Sequence, residues 1–362
     1  MDSEPDKESI GVLAKAKAAD GLREAVDADD LFRKLNKLDT MAGEKKIITI
    51  GLCPCWDTVC RLDGINWGEH KQVASAESYP AGKALNISRA LAWMGAKNIA
   101  AGLWGKADYE QMSAELAPLR NKIEIRFTAA EGTTRENITI IDKKHKREMH
   151  LRATSELATK KSLRQLDKDL QQIVTENSVC VFAGSMPGEE FSGDLLSIIK
   201  HCRKRGAEAV VDTSGAAYRK IVAQGNLLLI KPNVEELREL TGKKIKDTVP
   251  DLVKAARGLL DKTQMVLISR GAKGAIVVSK DSAIEARCTA KRTAVTTVAC
   301  GDYLLAGFLT GFTETGDGKF ALETAVKSAT ARAWGCSNAN WTQARKKIKV
   351  EVKILSERVK TK

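Results

Sequence analysis

Nowhere in the 362 residues does an apolar run approach the roughly 20 residues needed to span a bilayer, which argues against a membrane-embedded function. The opening stretch, MDSEPDKESIGVLAKAKAADG, lacks the basic start and apolar stretch of a secretory leader, and a cytoplasmic location is expected. Aromatic residues make up only 5% of the chain, too few for an evident base-stacking platform on single-stranded nucleic acid. The eight cysteines contain no CxxC and have no nearby pair of histidines. Cys53, Cys55 and Cys60 cluster, and the other five are dispersed. A structural zinc needs about four ligands, so free, buried thiols are expected in place of a metal knot. The GxxxxGK[ST] signature of P-loop phosphate binding is also missing.

What is present suits a soluble globular protein of one large domain or two smaller ones: 43% hydrophobic and 29% charged residues. A chain of this length buries a large core without disulfides or metals. The net charge is +13, but it is scattered. Its densest clusters are KKHKR (143–147), KRTA (291–294) and the terminal RKKIKVEVKILSERVKTK. A solvated basic surface is the first reading, attraction of an anionic substrate such as a phosphate ester the second, and nucleic acid the third.

Residues 1–44 are rich in Ala, Lys, Asp and Glu with spaced Leu and Val, which predicts an amphipathic or partly disordered helical extension. A break at MAGEKK precedes IITIGL (47–52). Short β-branched runs then follow: NIAAGL (98–103), SVCVFAG (178–184), AEAVVD (207–212), NLLLIKPN (226–233) and QMVLISRG (264–271). They alternate with GKALNISRALAWMG, SLRQLDKDLQQIV, GDLLSIIKHCRKRG and VEELRELTG, whose apolar residues keep helical spacing. The alternation predicts an α/β protein with a mostly parallel sheet covered by helices on both faces. Ligands in such sheets collect at the carboxyl ends of strands. Two segments break the rhythm, 57–80 and 134–151. Both read as short strands with polar turns, forming a small accessory sheet that serves as a lid. Residues 343–362 read as a basic tail, leaving 45–342 as the main domain.

Candidate chemistry gathers after the strands. In VACGD (298–302), the small residues Ala299, Cys300 and Gly301 let backbone N–H groups converge on an anion, and the following helix adds its positive end. Asp302 at that point is either a reactive carboxylate or a helix cap. In PAGKALN (80–86), Gly82 allows close approach, Lys83 supplies charge and Asn86 can bond a hydroxyl; an ordinary helix start fits equally. Asp57 ends LCPCWD at the sheet's carboxyl edge, where it can accept from sugar hydroxyls or simply close a turn. Arg135 in TTRENITI can grip a phosphate in a bidentate way or sit on a solvated strand face. In KPNVEEL, Asn233 and Glu236 share a helical face and could order water around Mg²⁺, or cap a helix. The glycine pair of SRGAKGA (269–275) could approach a nucleotide or form a plain turn.

Taken in order, LCPCWD, PAGKALN, TRENI, GSMP, DTSG, KPNVEE, SRGAKGA and TTVACGDYLLAGF resemble the ribokinase-type sugar kinases. The likeness is strongest to the branch of phosphofructokinase-2, fructose-1-phosphate kinase and tagatose-6-phosphate kinase, and it spans residues 47–338. It implies a ribokinase-like fold, ATP with Mg²⁺, and phosphorylation of a sugar-phosphate hydroxyl. Fructose 1-phosphate, fructose 6-phosphate and tagatose 6-phosphate are the leading acceptors. A free-sugar or nucleoside kinase and a non-catalytic binder of sugar phosphate or nucleotide are the alternatives. The resemblance makes Asp302 the general base and the Ala299–Cys300–Gly301 turn the anion hole. Asp57, Gly82 and Asn86 would hold the sugar and Lys83 would neutralise phosphate charge. Arg135 would hold the phosphate already on the substrate, with Ser185 lining the same pocket. Asn233 and Glu236 match an Asn-x-x-Glu pattern linked to Mg²⁺ through water, while Lys231, Ser269, Gly271 and Gly274 would face the nucleotide. Lids of this family pair between subunits, which implies a homodimer through the lid.

Three departures from the family pattern stand out. Cys53-Pro54-Cys55-Trp56-Asp57 replaces Asn-Pro-Ala-Ile/Leu-Asp, Ala81-Gly82-Lys83-Ala84 replaces Gly-Gly-Lys-Gly, and Ala299-Cys300-Gly301-Asp302 replaces Gly-Ala-Gly-Asp. An Ala is strained if any of the former glycine sites needs a positive φ.

Overall fold

The computed structural model describes residues 45–336 and 339–357. The expected extension over 1–44 lies outside the described residues.

Buried strands read as continuous apolar runs because both faces are covered, and the first of them, β1 (Lys46–Gly51, KIITIG), sits inside the sheet. Around it lie β4 (Asn98–Gly105), β5 (Ile123–Ala130), β8 (Ser178–Ala183), β9 (Glu208–Asp212), β10 (Leu227–Ile230) and β11 (Thr263–Ser269). The sheet is closed on one side by β12 (Ala275–Ser279), β13 (Ser282–Cys288) and β14 (Val350–Glu357). The order is β14-β13-β12-β11-β10-β9-β8-β1-β4-β5. From β5 to β11 every neighbouring pair is parallel, whereas β12, β13 and β14 pair antiparallel. The expected mostly parallel sheet is therefore present, with an antiparallel extension. That extension corrects the reading of 343–362 as a tail. Trp341 and Ala344 of a short helix are buried, and Val350–Glu357 is the sheet's edge strand, so the folded domain runs past residue 342.

Successive residues of β1 divide between two cores. Ile48 and Ile50 pack with Leu163 and Leu166 of α3 (Lys160–Ile173), Ile198 of α4 (Ser192–Lys204), Ile221 of α5 (Gly215–Gln224), Leu237 of α6 (Val234–Thr241) and Leu252 of α7 (Val249–Arg257). Ile47 faces the other way, with Ile87 and Leu91 of α1 (Lys83–Met94), Phe308 of α8 (Cys300–Thr315) and Val326 of α9 (Gly318–Ala333). This is the period of two that a pleated strand imposes. A short helix, α2 (Tyr109–Glu115), follows β4, and α10 (Trp341–Lys346) precedes β14. The α8–α9 contact is close because Gly307 and Gly311 carry no side chain. A Cβ at either would lie 2.8 Å from the Cα of Ala325 or Ala321.

The two segments that break the βα rhythm form a separate sheet of β2 (Cys55–Leu62), β3 (Ser75–Ala81), β6 (Glu136–Asp142) and β7 (Arg147–Arg152). Their order is β3-β2-β6-β7. The β2–β6 pair is parallel and the others are antiparallel. Both arms rise from the carboxyl edge of the main sheet: β2 follows β1, and β6 follows β5.

Candidate active site

At β1 the chain order reverses, with β4 and β5 on one side and β8 to β11 on the other. Open parallel sheets leave a crevice above the strand ends at such a switch point. Here a small crevice is lined by Gly51, Cys53, Pro54, Gly82, Lys83 and Phe127 among others. A wider cleft between Arg203, Glu208, Asn226 and Lys262 lies where β9, β10 and β11 begin. That is the opposite edge of the sheet, away from the clustered candidate residues.

Gly82 precedes α1 with φ 113° and ψ 149°, a conformation side chains disfavour. It starts the helix so that Lys83 reaches the end of β9. The Lys83 Nζ lies 3.1 Å from Asp212 Oδ1, and Lys231 Nζ lies 3.2 Å from the same oxygen. Asp212 is fully buried, and its Oδ2 has no hydrogen-bond partner among the described residues. Burial alone would lower the Lys83 ammonium, but the carboxylates of Asp212 and Asp302 outweigh it and hold the group above its ordinary value.

Asp302 lies in the first turn of α8 and is 6% exposed. The helix-cap reading does not hold, because α8 has no side-chain cap bond. Instead Asp302 Oδ2 accepts from Asn86 Nδ2 at 3.0 Å, across from α1. Burial, with help from the Asp212 charge, pushes the Asp302 carboxyl up to about 6 against the opposing pull of Lys83, Asn86 and Lys231. Ala299 sits just before the helix at φ 63°, ψ 6°, the left-handed region that favours glycine. The Cys300 amide reaches Thr297 O only at 3.4 Å, so it is loosely engaged. Burial raises the Cys300 thiol above its ordinary value, and Asp302 adds to the rise.

The remaining candidates divide by position. Asp57, at the base of β2, accepts from Asn137 Nδ2 at 3.1 Å and from Cys55 Sγ at 3.3 Å. Arg135 spends three donors on backbone carbonyls: Nε on Pro54 O, Nη1 on Ala153 O and Nη2 on Cys53 O. It thus clasps the loop after β1, at Cys53 and Pro54, to the backbone at Ala153. Ser185 is exposed in the loop after β8. Asn233 and Glu236 form a reciprocal capping box on α6, with Asn233 N donating to Glu236 Oε2 at 2.8 Å and Glu236 N to Asn233 Oδ1 at 2.9 Å. Ser269 lies beside Asn233 through an isolated parallel bridge. Gly271 and Gly274, both at positive φ, form the turn into β12. No group of three or more His, Cys, Asp or Glu side chains suited to a metal occurs among the described residues. All eight cysteines are free thiols.

Sequence reasoning missed two residues. Asp212 opens DTSG at the end of β9, an acid at the carboxyl edge like Asp57, and that position was the available signal. Asn137 lies on β6, two residues beyond Arg135, which precedes that strand, and only the pairing of Asp57 with Asn137 across β2 and β6 reveals it.

A buried carboxylate near two lysines, at a helix start above a parallel sheet, is an arrangement able to receive an anionic group. Comparison with known proteins sharpens that class: the chain belongs to the pfkB family carbohydrate kinases, whose profile matches residues 44–339. It is therefore a phosphotransferase with an alcohol acceptor, a sugar-phosphate kinase of that family. It is 28% identical over 313 residues to a 1-phosphofructokinase of Haemophilus influenzae, covering 81% of this chain and 92% of the relative. It is 28% identical over 244 residues to the ATP-dependent 6-phosphofructokinase isozyme 2 of Escherichia coli, covering 66% and 77%. Among solved structures, the Escherichia coli phosphofructokinase-2 in complex with fructose-6-phosphate superposes with a TM-score of 0.75 at 22% identity, covering 83% of this chain and 99% of that one. No helix among the described residues is long and apolar enough to cross a membrane.

Proposed function

We propose that the protein transfers the γ-phosphoryl group of ATP to a hydroxyl of a phosphorylated ketohexose, with fructose 1-phosphate, fructose 6-phosphate and tagatose 6-phosphate as the leading acceptors. The observation that carries this reading is Asp302: buried, not capping its helix, and held by Asn86 beside the Lys83–Asp212–Lys231 cluster.

Asp302 takes the proton of the acceptor hydroxyl. The hydroxyl oxygen bonds to the γ-phosphorus as the bond to the β–γ bridging oxygen breaks. Asn86 fixes the carboxylate for that encounter. The amides of the Ala299–Cys300–Gly301 turn and the start of α8 stabilise charge on the migrating group, and Lys83 and Lys231 add their fields. Phosphoryl transfer depends mainly on positioning and electrostatics, so fixed donors matter more than covalent chemistry. Asp57, Gly82 and Asn137 line the sugar side, and Arg135 takes the substrate's own phosphate. Lys231, Ser269, Gly271 and Gly274 serve the nucleotide side. The sparse, oxygen-only donor set of Asn233, Glu236 and Asp212 fits a Mg²⁺ that keeps most of its water; when bound, it supplies neutralising charge at the polyphosphate.

An ADP-coupled assay over phosphorylated and free sugars tests the reading. Turnover with at least one of the three sugar phosphates is expected, and none with any phosphorylated or free sugar would overturn it. Asp302→Asn should lose about 10²–10⁴-fold in kcat while nucleotide still binds; near-normal kcat would remove the base. Arg135→Ala should raise KM for a phosphorylated sugar far more than for its free counterpart, whereas equal effects would reduce Arg135 to the loop clasp. A homodimer through the lid fits the exposed Met149 and Leu151 on β7, 46% and 47% accessible; sedimentation of the full chain at the dimer's mass is the expected result.

A further inference from the structure

At the root of the lid, away from the phosphoryl-transfer residues, one carboxylate gathers donors from three separate parts of the chain. Asp108 follows β4 in a short turn. Its Oδ2 accepts from the Trp56 indole N–H at the base of β2 and from the Trp104 indole N–H of β4 at 3.2 Å. Its Oδ1 accepts from the Thr134 amide at 3.0 Å. Thr134 in turn accepts on Oγ1 from the Gly105 amide at 2.9 Å. Gly105 has an ordinary φ of −63°, so its glycine is not required by backbone conformation. Space requires it: a Cβ there would lie 2.4 Å from Asp108 Oδ1 and 2.5 Å from the Thr134 amide. The two indoles meet edge to face with centroids 5.8 Å apart, and Trp56 is 7% exposed.

The neighbours of this knot are the two candidate sugar-phosphate residues. Asp57 follows Trp56, and Arg135 follows Thr134. Across the pair, the Trp56 amide donates to Arg135 O at 2.8 Å. The lid's two arms enter at these points, 78 positions apart in sequence (134 less 56), and Asp108 is the group that ties both to the main sheet. The bulky Trp56, a departure from the family pattern, thereby acquires a purpose: it carries the N–H that reaches the carboxylate.

We propose that Asp108 is a positioning residue for the acceptor, fixing where Asp57 and Arg135 stand by holding the Trp56 indole and the Thr134 amide at once. This rests on the function proposed above. All three partners are donors, so an amide NH₂ in place of either carboxylate oxygen faces a donor. Asp108→Asn therefore breaks part of the knot at constant size. Trp56→Phe keeps the ring against Trp104 and removes the N–H.

The test uses both variants and their double in the full chain, with steady-state kinetics and amide hydrogen exchange of the ligand-free protein. Each single variant should raise the sugar-phosphate KM by about tenfold, within the range a small misplacement produces. The ATP KM should stay within about twofold. The double variant should be little worse than the more affected single, since contacting partners do not add. Exchange at residues 55–62 and 136–142 should quicken in both singles, with β8 and β9 unchanged. An unchanged sugar-phosphate KM, a parallel rise in the ATP KM, or fully additive effects would overturn the assignment. If the wild type phosphorylates no sugar phosphate, the proposed function fails separately. The exchange arm still decides the Asp108 tie, because unaltered lid exchange in both variants would overturn it.

Discussion

Asp302 is a carboxylate whose surroundings favour its protonated form, first through burial and then through the Asp212 charge. A general base must be ionised to act. With the group at about 6, kcat/KM should be level near neutrality and fall with rising proton concentration below that point. A profile with its acid limb near the ordinary aspartate value would contradict the environment described. The same shift has a stability side. The folded protein binds this proton more tightly than the unfolded chain, whose aspartate titrates at 3.8. The contribution is therefore fully present below that value and lost as pH rises through about 6. Asp302→Asn should flatten this part of the stability profile, measured as Tm against pH. Ala299 offers a second residue-scale test. Ala→Gly within a helix costs about 1 kcal/mol, but the left-handed conformation of Ala299 already costs an alanine about that much. Ala299→Gly should therefore leave Tm unchanged or raised, and a drop of several degrees would refute the strain.

At the scale of elements, α6 shows how a proposed functional pattern and a structural one can fall on the same residues. Asn233 and Glu236 cap the helix reciprocally, so Asn233→Ala should cost about 1 kcal/mol of stability whatever it does to turnover. Asn233→Asp keeps the cap. If the pair also serves Mg²⁺, both variants should shift the Mg²⁺ concentration needed for half-maximal rate, while only the alanine lowers Tm. The buried parallel strands were legible because their continuous apolar runs, as in β1 and β8, have few other uses. β5 was not, because IEIRFTAA is an edge strand with exposed Glu124 and a charged Arg126 among its buried residues. β14 was hidden in the same way: VEVKILSE alternates charge with apolar residues, and the basic residues on either side of it suggested a tail before its period of two suggested a strand. The order of the site motifs was readable. The three-way tie at Asp108 was not, since Trp56, Asp108 and Thr134 meet only in the folded chain.

For the molecule as a whole, the antiparallel extension changes what a C-terminal truncation does. Val350 and Val352 pack on the core of α8 and α9, and Leu355 packs on the other. Arg257 Nη2 donates to Ser356 Oγ at 2.7 Å. Removal of 343–362 should lower Tm markedly and expose the β13 edge to self-association, visible as concentration-dependent light scattering. A truncated chain with unchanged Tm would show that β14 adds nothing. Loss of nucleic-acid affinity in such a truncation would be uninterpretable as loss of a binding tail, because the fold itself is altered.

The charged cluster of Lys83, Lys231 and Asp212 has a consequence together with Asp302. Lys83, Lys231, Asp212 and ionised Asp302 sum to zero formal charge. In the proposed reaction, when Asp302 takes the alcohol's proton, the quartet turns cationic as negative charge spreads over the group in flight. On that proposal the pocket's polarity would follow the reaction coordinate: it would attract when attraction helps, and relax to neutral when the proton escapes to bulk water and product must go.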